Sequence, residues 1–361
     1  MGRQSRWYNA IMDEVRPTSS GCCAGPGRLE VPRVSTELTR ADRVGAWKAR
    51  WRIGRMRYRV EPGLYAVGRP TADAPVLVTA NYKMTFDRLR SQLGGRDAWV
   101  LVLDTRGINV WCAAGKGTFG TDEVVRRVEA LRLSEVVSHR RLVVPQLGAP
   151  GVAAHEVLQR CGFEVVYGPV RAEDLPAFLD AGMKATPQMR RVQFPFRERV
   201  ALIPVELVAG AKHVLFIAAC LLLLGGLGPG GYSFGRAIGV GLPSAMLFLA
   251  VFVGGVTLVP MVLPWLPGRA FSVKGAWVGI ALVLVFGAHV WAAPGAFGGP
   301  VSAGAWVLII PAVASFLAMN FTGSSTYTSL SGVQREMRVA LPVQIGCAAI
   351  GAVLWLLGRF V

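Results

Sequence analysis

The sequence predicts an α/β, Rossmann-like domain followed by an all-α membrane domain of five transmembrane helices. The chain has 39 Lys and Arg and 22 Asp and Glu, of which 32 and 20 precede residue 203. The rest is almost continuously apolar, and Glu206 and Glu336 are its only acidic residues. The mean hydropathy of +0.42 is therefore an average over a charged first part, suited to water, and an apolar second part, suited to a membrane.

Short apolar runs alternate with helical patterns between Trp47 and about Pro195. The predicted strands are 65–67, 76–80, 99–104, 108–111, 141–145 and 164–167, and the predicted helices are 86–93, 121–131, 151–161 and 172–181. Thr121 is a predicted N-cap, and Gly162 and Gly182 are expected to end helices. This alternation is typical of a doubly wound domain with a largely parallel sheet, in which ligands bind beyond the carboxyl ends of the strands.

The domain boundaries follow from these patterns. Residues 1–45 are expected to form a flexible leader, 46–195 the cytoplasmic α/β domain and 196–361 the membrane domain. Five apolar segments approach the roughly 20 residues that cross a bilayer, at 205–227, 239–262, 275–293, 302–321 and 339–358. The basic loop residues favour an inner (cytoplasmic) membrane location, with the α/β domain facing the cytoplasm.

Composition narrows the function classes. The pI near 10.4 would suit nucleic-acid binding, but the sequence contains no nucleic-acid-binding motif. Much of the excess of basic residues lies close to the position where the chain is expected to enter the membrane, and basic residues there attract anionic lipid headgroups. The spacing of the six cysteines matches neither a disulfide framework nor a Cys-x-x-Cys metal-binding motif. Cys22 and Cys23 in the leader either transfer a soft metal ion or are an incidental pair. The first residues lack the apolar stretch of a secretory signal peptide.

One octapeptide, residues 109–116, reads Asn-Val-Trp-Cys-Ala-Ala-Gly-Lys and follows a predicted strand. Small residues after Cys112 would let a large planar partner approach, and a helical turn together with Lys116 would favour the thiolate. The segment is not a phosphate-binding loop, because Lys116 is followed by Gly117 and the required first glycine is missing. A cysteine hydrolase stays open as an alternative, with His139 or His155 as its base.

The octapeptide resembles the signature of the mercury-methylating corrinoid protein family, HgcA, at every position. Two further stretches, 76–87 and 144–156, resemble the corrinoid domain that this family shares with the corrinoid iron–sulfur protein of the acetyl-CoA pathway. The order of a corrinoid domain and five membrane helices also resembles the mercury-methylating family. The resemblance covers about residues 45–361.

The resemblance implies a cobamide bound base-off, with Cys112 as both the catalytic residue and the lower axial cobalt ligand, presented by a short cap helix. It implies cofactor contacts from three segments: Thr79 and Asn81; Asn109, Val110, Trp111, Cys112, Ala113, Ala114, Gly115, Lys116 and Gly117; and Gln146, Leu147, Gly151 and Val152. The implied partners are a ferredoxin-like protein with two [4Fe–4S] clusters (HgcB type), a folate-linked methyltransferase that donates the methyl group, and membrane lipid.

The leading functional hypothesis is a cobamide-dependent methyltransferase that passes a cobalt-bound methyl group to Hg(II). A soft thiolate donor trans to the methyl group would weaken the Co–C bond, and the histidine-ligand motif of other cobamide proteins is missing from the chain. The alternative is a membrane-bound corrinoid methyl carrier serving another soft metal or the acetyl-CoA pathway. A third hypothesis is a cobamide-binding or transport protein without turnover.

Overall fold

In a computed structural model, residues 31–292, 297–322 and 330–361 are described, and they form two compact units. The first unit contains the described residues up to Ala49 and Ile53–Val192, and the second contains Arg50–Arg52 and Gln193–Val361. Residues 31–45 of the predicted leader are among the described residues, whereas Cys22 and Cys23 lie outside them.

The first unit is built on a six-stranded sheet of order β1-β2-β4-β3-β5-β6. Its strands are β1 (Arg33–Val34), β2 (Gly63–Val67), β3 (Val76–Ala80), β4 (Ala98–Leu103), β5 (Arg141–Val144) and β6 (Glu164–Tyr167). Strands β4, β3, β5 and β6 are parallel, and β2 pairs antiparallel with β4. The prediction of an α/β domain with a largely parallel sheet is confirmed.

The central strand β3 is buried along its whole length, as expected when helices cover both faces of a parallel sheet. Its alternating side chains enter different cores: Val78 and Ala80 belong to one apolar cluster, and Leu77 belongs to another on the opposite face. The chain leaves β3 toward β4 and then crosses back to β5 on the other side. The carboxyl ends of β3 and β5 therefore flank a topological switch point, where such sheets bind ligands.

The helices of the first unit are α1 (Arg40–Arg50), α2 (Lys83–Arg90), α3 (Val110–Gly115), α4 (Thr121–Ala130), α5 (Leu133–Val136), α6 (Ala154–Cys161) and α7 (Leu175–Asp180). Gly162 and Gly182 follow helices in the left-handed conformation, with φ of 74° and 67°, as predicted. The predicted N-cap at Thr121 is wrong. Gly120 occupies that position, and the Thr121 hydroxyl instead accepts a hydrogen bond from the Ala153 N–H at 2.9 Å.

Two sequence expectations fail for identifiable local reasons. The predicted strand at 108–111 is absent, because the Asn109 side chain caps a helix that begins at Val110. The predicted leader contains most of α1, which Thr39 and Asp42 start with a reciprocal capping box. The inner face of α1 uses small residues, with Gly45 packed on the Tyr58 ring, so it lacks the large apolar repeat that marks most helices.

The second unit is helical. Its helices are α8 (Phe196–Val200), α9 (Ile203–Leu224), α10 (Phe234–Arg236), α11 (Leu242–Val262), α12 (Phe271–Ala292), α13 (Pro300–Met319) and α14 (Leu330–Leu357), with a π-helical turn at Ala237–Gly241. Within the described residues five helical stretches are long and apolar enough to cross a membrane, which agrees with the five predicted segments.

Candidate functional site

Helix α3 brings Cys112 to the carboxyl edge of the sheet. The helix follows β4 and contacts both β3 and the short 3₁₀ turn Gln146–Gly148 after β5. Asn109 starts the helix: its Oδ1 accepts a hydrogen bond from the Cys112 N–H at 2.9 Å. Cys112 is therefore fixed in the first helical turn, and its side chain is half-buried. This is the short helix that the octapeptide was expected to form around its cysteine.

Asn81, directly after β3, holds the loop that leads into α3. Its Oδ1 accepts hydrogen bonds from the backbone N–H groups of Thr105 at 3.2 Å and Gly107 at 2.9 Å. Its Nδ2 donates to Asp104 at 3.2 Å. Since Asn81 is only 1% exposed, these bonds form in a protected environment. A predicted cofactor contact is thus also the anchor of the loop before the cysteine helix.

Thr105 connects this loop to the start of the helix. Its hydroxyl lies 2.6 Å from the Ile108 carbonyl oxygen and 2.9 Å from Asn81 Oδ1. A hydroxyl has one hydrogen, and Asn81 Oδ1 already accepts from two N–H groups, so the hydroxyl donates to Ile108. Arg106 and Gly107 have φ of 58° and 73°, which completes a tight turn between the strand and α3.

Glu123 is a positioning residue that the sequence analysis missed. Its carboxylate accepts a hydrogen bond from the Asp104 N–H at 2.8 Å and is paired with Arg127 at 2.9 Å. The residue lies in the first turn of α4 and is 8% exposed. The acidic first turn of α4 was visible in the sequence, but its reach to the end of β4 depends on the fold. Helices α3 and α4 are thereby tied to one strand end.

The small residues of the octapeptide have two different environments. Ala113 is fully buried and Ala114 is 6% exposed, so both face the core. A Cβ at Gly151 would lie 2.2 Å from the Phe119 carbonyl oxygen and 3.1 Å from Ala114 Cα. Gly151 therefore lets the chain after β5 pack directly on the backbone of α3, and two of the three predicted segments meet there.

The other side of α3 is open. A Cβ at Gly115 or Gly117 would meet nothing within 4 Å, and Gly117 ends the helix with φ of 78°. Lys116 is exposed, whereas Trp111 and Cys112 are half-buried. Lys116 lies four residues after Cys112, which places the two on the same helix face. Cys112 and Lys116 thus lie beside Gly115 and Gly117, where no atom of the described part of the chain would lie within 4 Å of an added Cβ.

The remaining predicted site residues divide into buried and accessible ones. Thr79, Val110 and Val152 are 2%, 5% and 1% exposed, so they pack inside the unit beneath the carboxyl edge of the sheet. Leu147 packs against the same core. Gln146 is half-exposed, and its Oε1 accepts a hydrogen bond from Arg190 at 2.9 Å, a contact between distant parts of the chain that the sequence did not indicate.

The cysteine hydrolase alternative has no support in the geometry. His139 lies at the opposite, amino-terminal edge of the sheet, where its Nε2 is 2.9 Å from the Ala74 carbonyl oxygen and its Nδ1 accepts from the Arg141 N–H. The five residues of β3 separate the two edges by roughly 15 Å. His155 is exposed on α6 and faces Glu156 at 3.9 Å. Neither histidine forms a hydrogen bond with Cys112.

A cavity of about 330 Å³ lies at that amino-terminal edge and does not adjoin Cys112. His139, Arg141 and Arg96 contribute to its polar wall. Arg96 already forms two hydrogen bonds of 2.7 Å with Asp180. The cavity has none of the predicted site residues in its lining, so the chemistry indicated by the sequence lies elsewhere in the unit.

Comparison with known proteins covers the first unit. Residues 54–179 match the family model described as CO dehydrogenase/acetyl-CoA synthase delta subunit. Gamma subunits of the acetyl-CoA decarbonylase/synthase complex are similar over part of the chain: the Archaeoglobus fulgidus protein is 36% identical over 124 residues, and the Methanopyrus kandleri protein is 35% identical over 123 residues. Each alignment covers 34% of this chain and 26% of the relative.

The chain therefore spans about a quarter of the length of these curated relatives. The matched region contains strands β2 to β6 and the whole octapeptide, and the five apolar helices lie outside it. The family-model match is therefore confined to the α/β unit.

Proposed function

We propose that the α/β unit binds a corrinoid at the carboxyl edge of its sheet and that the chain is a membrane-bound, corrinoid-dependent methyltransferase. The carrying observation is the placement of Cys112: a half-buried thiol in the first turn of a short helix, beside an open surface at the topological switch point. Cys112 would be the catalytic residue and the lower axial ligand of cobalt. A soft sulfur ligand alters the electron density at cobalt, and the choice of this ligand is a main way in which a protein tunes the reactivity of such a cofactor.

The residues present fit this group. Within the described ranges no three His, Cys, Asp or Glu side chains are placed to hold a metal ion. A metal at Cys112 would therefore take its other ligands from a prosthetic group, as a corrin ring provides. The open surface at Gly115 and Gly117 leaves room for a large planar molecule, and any side chain there would project into that room.

The chain's own residues supply position and access. Asn109 fixes the backbone of Cys112, and Asn81 with Thr105 fixes the loop before it. Trp111 and Lys116 border the open side, where an indole ring and an ammonium group would contact the edge and the amide groups of a corrinoid. The bound corrinoid supplies a cobalt that carries the methyl group. Base-off binding with cysteine ligation is part of this proposal.

The acceptor of the methyl group has two candidates. The names of the relatives favour a component of acetyl-CoA synthesis, since they are subunits of acetyl-CoA decarbonylase/synthase. Hg(II) is favoured by the octapeptide 109–116, which matches the mercury-methylating signature at every position, and by the five apolar helices that follow the domain. The folate-linked methyl donor, the ferredoxin-like partner and the cytoplasmic orientation at the inner membrane belong to the same proposal.

Absorption spectra test the axial ligand. The purified full-length chain is loaded with aquocobalamin, and a sulfur-to-cobalt band is expected for the wild type. Cys112→Ala should lose that band. Cys161→Ala is the matched control, because Cys161 is also half-buried in the α/β unit, and burial raises the pKa of its thiol. Equal spectra for the wild type and Cys112→Ala would refute the ligand assignment.

A transfer assay separates the acceptors. The methyl-loaded chain is incubated either with Hg(II) or with acetyl-CoA synthase, CO and coenzyme A, and methylmercury and acetyl-CoA are measured. Methylmercury that depends on Cys112, and survives Cys161→Ala, supports Hg(II) as the substrate. Acetyl-CoA alone supports the other acceptor. A methyl group that stays on the protein in both mixtures contradicts a transferase and favours a cobamide carrier without turnover.

A further inference from the structure

The exposed apolar side chains of the first unit are concentrated in one segment. Of its five strongly exposed large apolar residues in the described part, Val44, Trp47, Ile53 and Met56 lie within thirteen consecutive positions, at 43%, 58%, 57% and 64% exposure. The fifth, Leu158, lies on α6. We call residues 40–49 and 53–59 of this unit, which contain the group, the basic segment. Single exposed apolar residues are ordinary on a surface, but a cluster of this density marks a binding surface.

The same segment carries almost only positive charge. Its basic residues are Arg40, Arg43, Lys48, Arg55, Arg57 and Arg59, and Asp42 is its only acid. Asp42 points inward, where its carboxylate pairs with Lys83 at 2.5 Å and with Arg90 at 2.7 Å. The charge presented to the outside is therefore entirely cationic.

The folding of α1 explains why the apolar residues face outward. Asp42, Gly45 and Ala49 form its inner side: Gly45 packs on Tyr58, and the Tyr58 hydroxyl donates to the Asp42 carbonyl oxygen at 3.0 Å. These positions repeat with helical spacing. Val44 and Trp47, three residues apart, are consequently left on the outer side among the arginines.

We infer that the basic segment binds the surface of an anionic lipid bilayer. Arginines interleaved with exposed tryptophan and aliphatic side chains are typical of a segment that lies in the headgroup region. An acidic protein or a nucleic acid would satisfy the charges, but it would leave the apolar side chains unexplained. The same chain carries five helices long enough to cross a membrane, so a bilayer is the one large anionic surface that always accompanies it.

The end of the basic segment adjoins the candidate site. A Cβ at Gly107 would lie 3.3 Å from the Met56 carbonyl oxygen, and the Lys83 N–H donates to the Tyr58 carbonyl oxygen at 3.1 Å. Gly107 belongs to the loop that Asn81 holds before α3. The basic segment therefore packs directly on the loop that leads to Cys112. The inference rests on the membrane location in the proposed function but not on corrinoid binding or methyl transfer, which its test does not measure.

Tryptic cleavage of the full-length chain in nanodiscs tests the inference. Discs of phosphatidylcholine are compared with discs that also contain phosphatidylglycerol, and cleavage rates at individual sites are followed by mass spectrometry. Because an anionic surface attracts each of these basic residues, cleavage after Arg55 and Arg57 should slow at least about tenfold in the anionic discs. Cleavage after Lys184, an exposed site of the same unit, should not change.

Two comparisons of a variant with its control test the inference further, one for the charges and one for the apolar side chains. Arg40→Glu with Arg43→Glu should abolish the lipid-dependent protection of Arg55, and acidic residues in the first turn of α1 favour the helix, so folding is retained. Arg69→Glu with Arg132→Glu makes the same charge change at exposed positions elsewhere, keeps the Lys184 control site and should leave the protection intact. Ile53→Ser with Met56→Ser should weaken it, whereas Leu158→Ser should not. Equal cleavage in both kinds of disc, or protection that survives Arg40→Glu with Arg43→Glu, overturns the inference.

Discussion

Replacing Asn81 by alanine should release the loop before the cysteine helix while leaving the sheet in place. Asn81 is 1% exposed, and its side chain is the acceptor for the Thr105 and Gly107 N–H groups. Alanine removes this acceptor without adding atoms, and both N–H groups stay buried. The variant therefore isolates the hydrogen bonds from any steric effect.

The magnitude follows from the two orphaned donors. A buried donor that loses its acceptor costs about 1–3 kcal/mol. Water that enters the space left by the side chain offsets part of this, so we expect a local loss of about 3 kcal/mol. At 1.4 kcal/mol per factor of ten, amide exchange in the loop should accelerate on the order of 100-fold.

Hydrogen–deuterium exchange of the full-length chain measures this loss directly. Peptides covering residues 104–112 should exchange faster in Asn81→Ala, and peptides covering β6 (Glu164–Tyr167) serve as the internal control. Faster exchange in β6 as well would show that the whole unit is destabilised. Unchanged exchange at 104–112 would refute the assignment of Asn81 as the anchor of the loop.

Asn81→Asp adds a pH-dependent check on the same geometry, because it places a second carboxylate about as close to Asp104 as the present 3.2 Å contact. Repulsion disfavours the state with both carboxyl groups charged, so protection of the loop should be greatest in acid and should be lost as the pH rises toward neutrality. Gly151→Ala should lower the free energy of unfolding by about 1–3 kcal/mol in urea titrations, since its Cβ meets the Phe119 carbonyl oxygen at 2.2 Å. The matched Gly94→Ala, where nothing lies within 4 Å, should be nearly neutral. Burial raises the pKa of Asp42, but Lys83 and Thr39 outweigh it and lower the value to about 2 from 3.8. This contribution to stability is present above pH 3.8 and is lost as the pH falls through 2, so Asp42→Asn should cost about 2 kcal/mol at pH 6 and almost nothing at the acid limit.

The apolar pattern was sufficient to predict the sheet and the membrane helices. Strand β3 reads as an apolar run with Thr79 as its one polar residue, because both of its faces are buried, and α11, α12 and α13 are recognisable from their length and apolar composition. The boundaries were less accurate where polar residues continue a helix. Helix α14 begins at Leu330, although its apolar part starts near 339, because a helix can extend beyond the segment that crosses a membrane.

The failures in the α/β unit arise from local chemistry that periodicity does not contain. Residues 108–111 are a short, mainly apolar run, which predicts a strand, but the Asn109 cap and the Thr105 bond to Ile108 start a helix there. That helix has only six residues, too few to show a helical period. The positioning roles of Glu123 and Arg190 depend on contacts between distant parts of the chain, and no local pattern predicts those.

The small residues of the octapeptide can be required either by packing of α3 on the core or by the ligand outside it, and the sequence alone does not separate these two reasons. Ala113 and Ala114 must be small because α3 lies against the core and against the chain at Gly151, whatever binds outside. Gly115 faces open space, so the fold places no steric demand on its side chain. Substitution of the two alanines by valine should therefore damage folding first. Gly115→Val should leave the unfolding transition of the unit nearly unchanged but weaken corrinoid binding, because the branched side chain would occupy the surface assigned to the ring. An unchanged corrinoid affinity in Gly115→Val would place the cofactor on another side of α3.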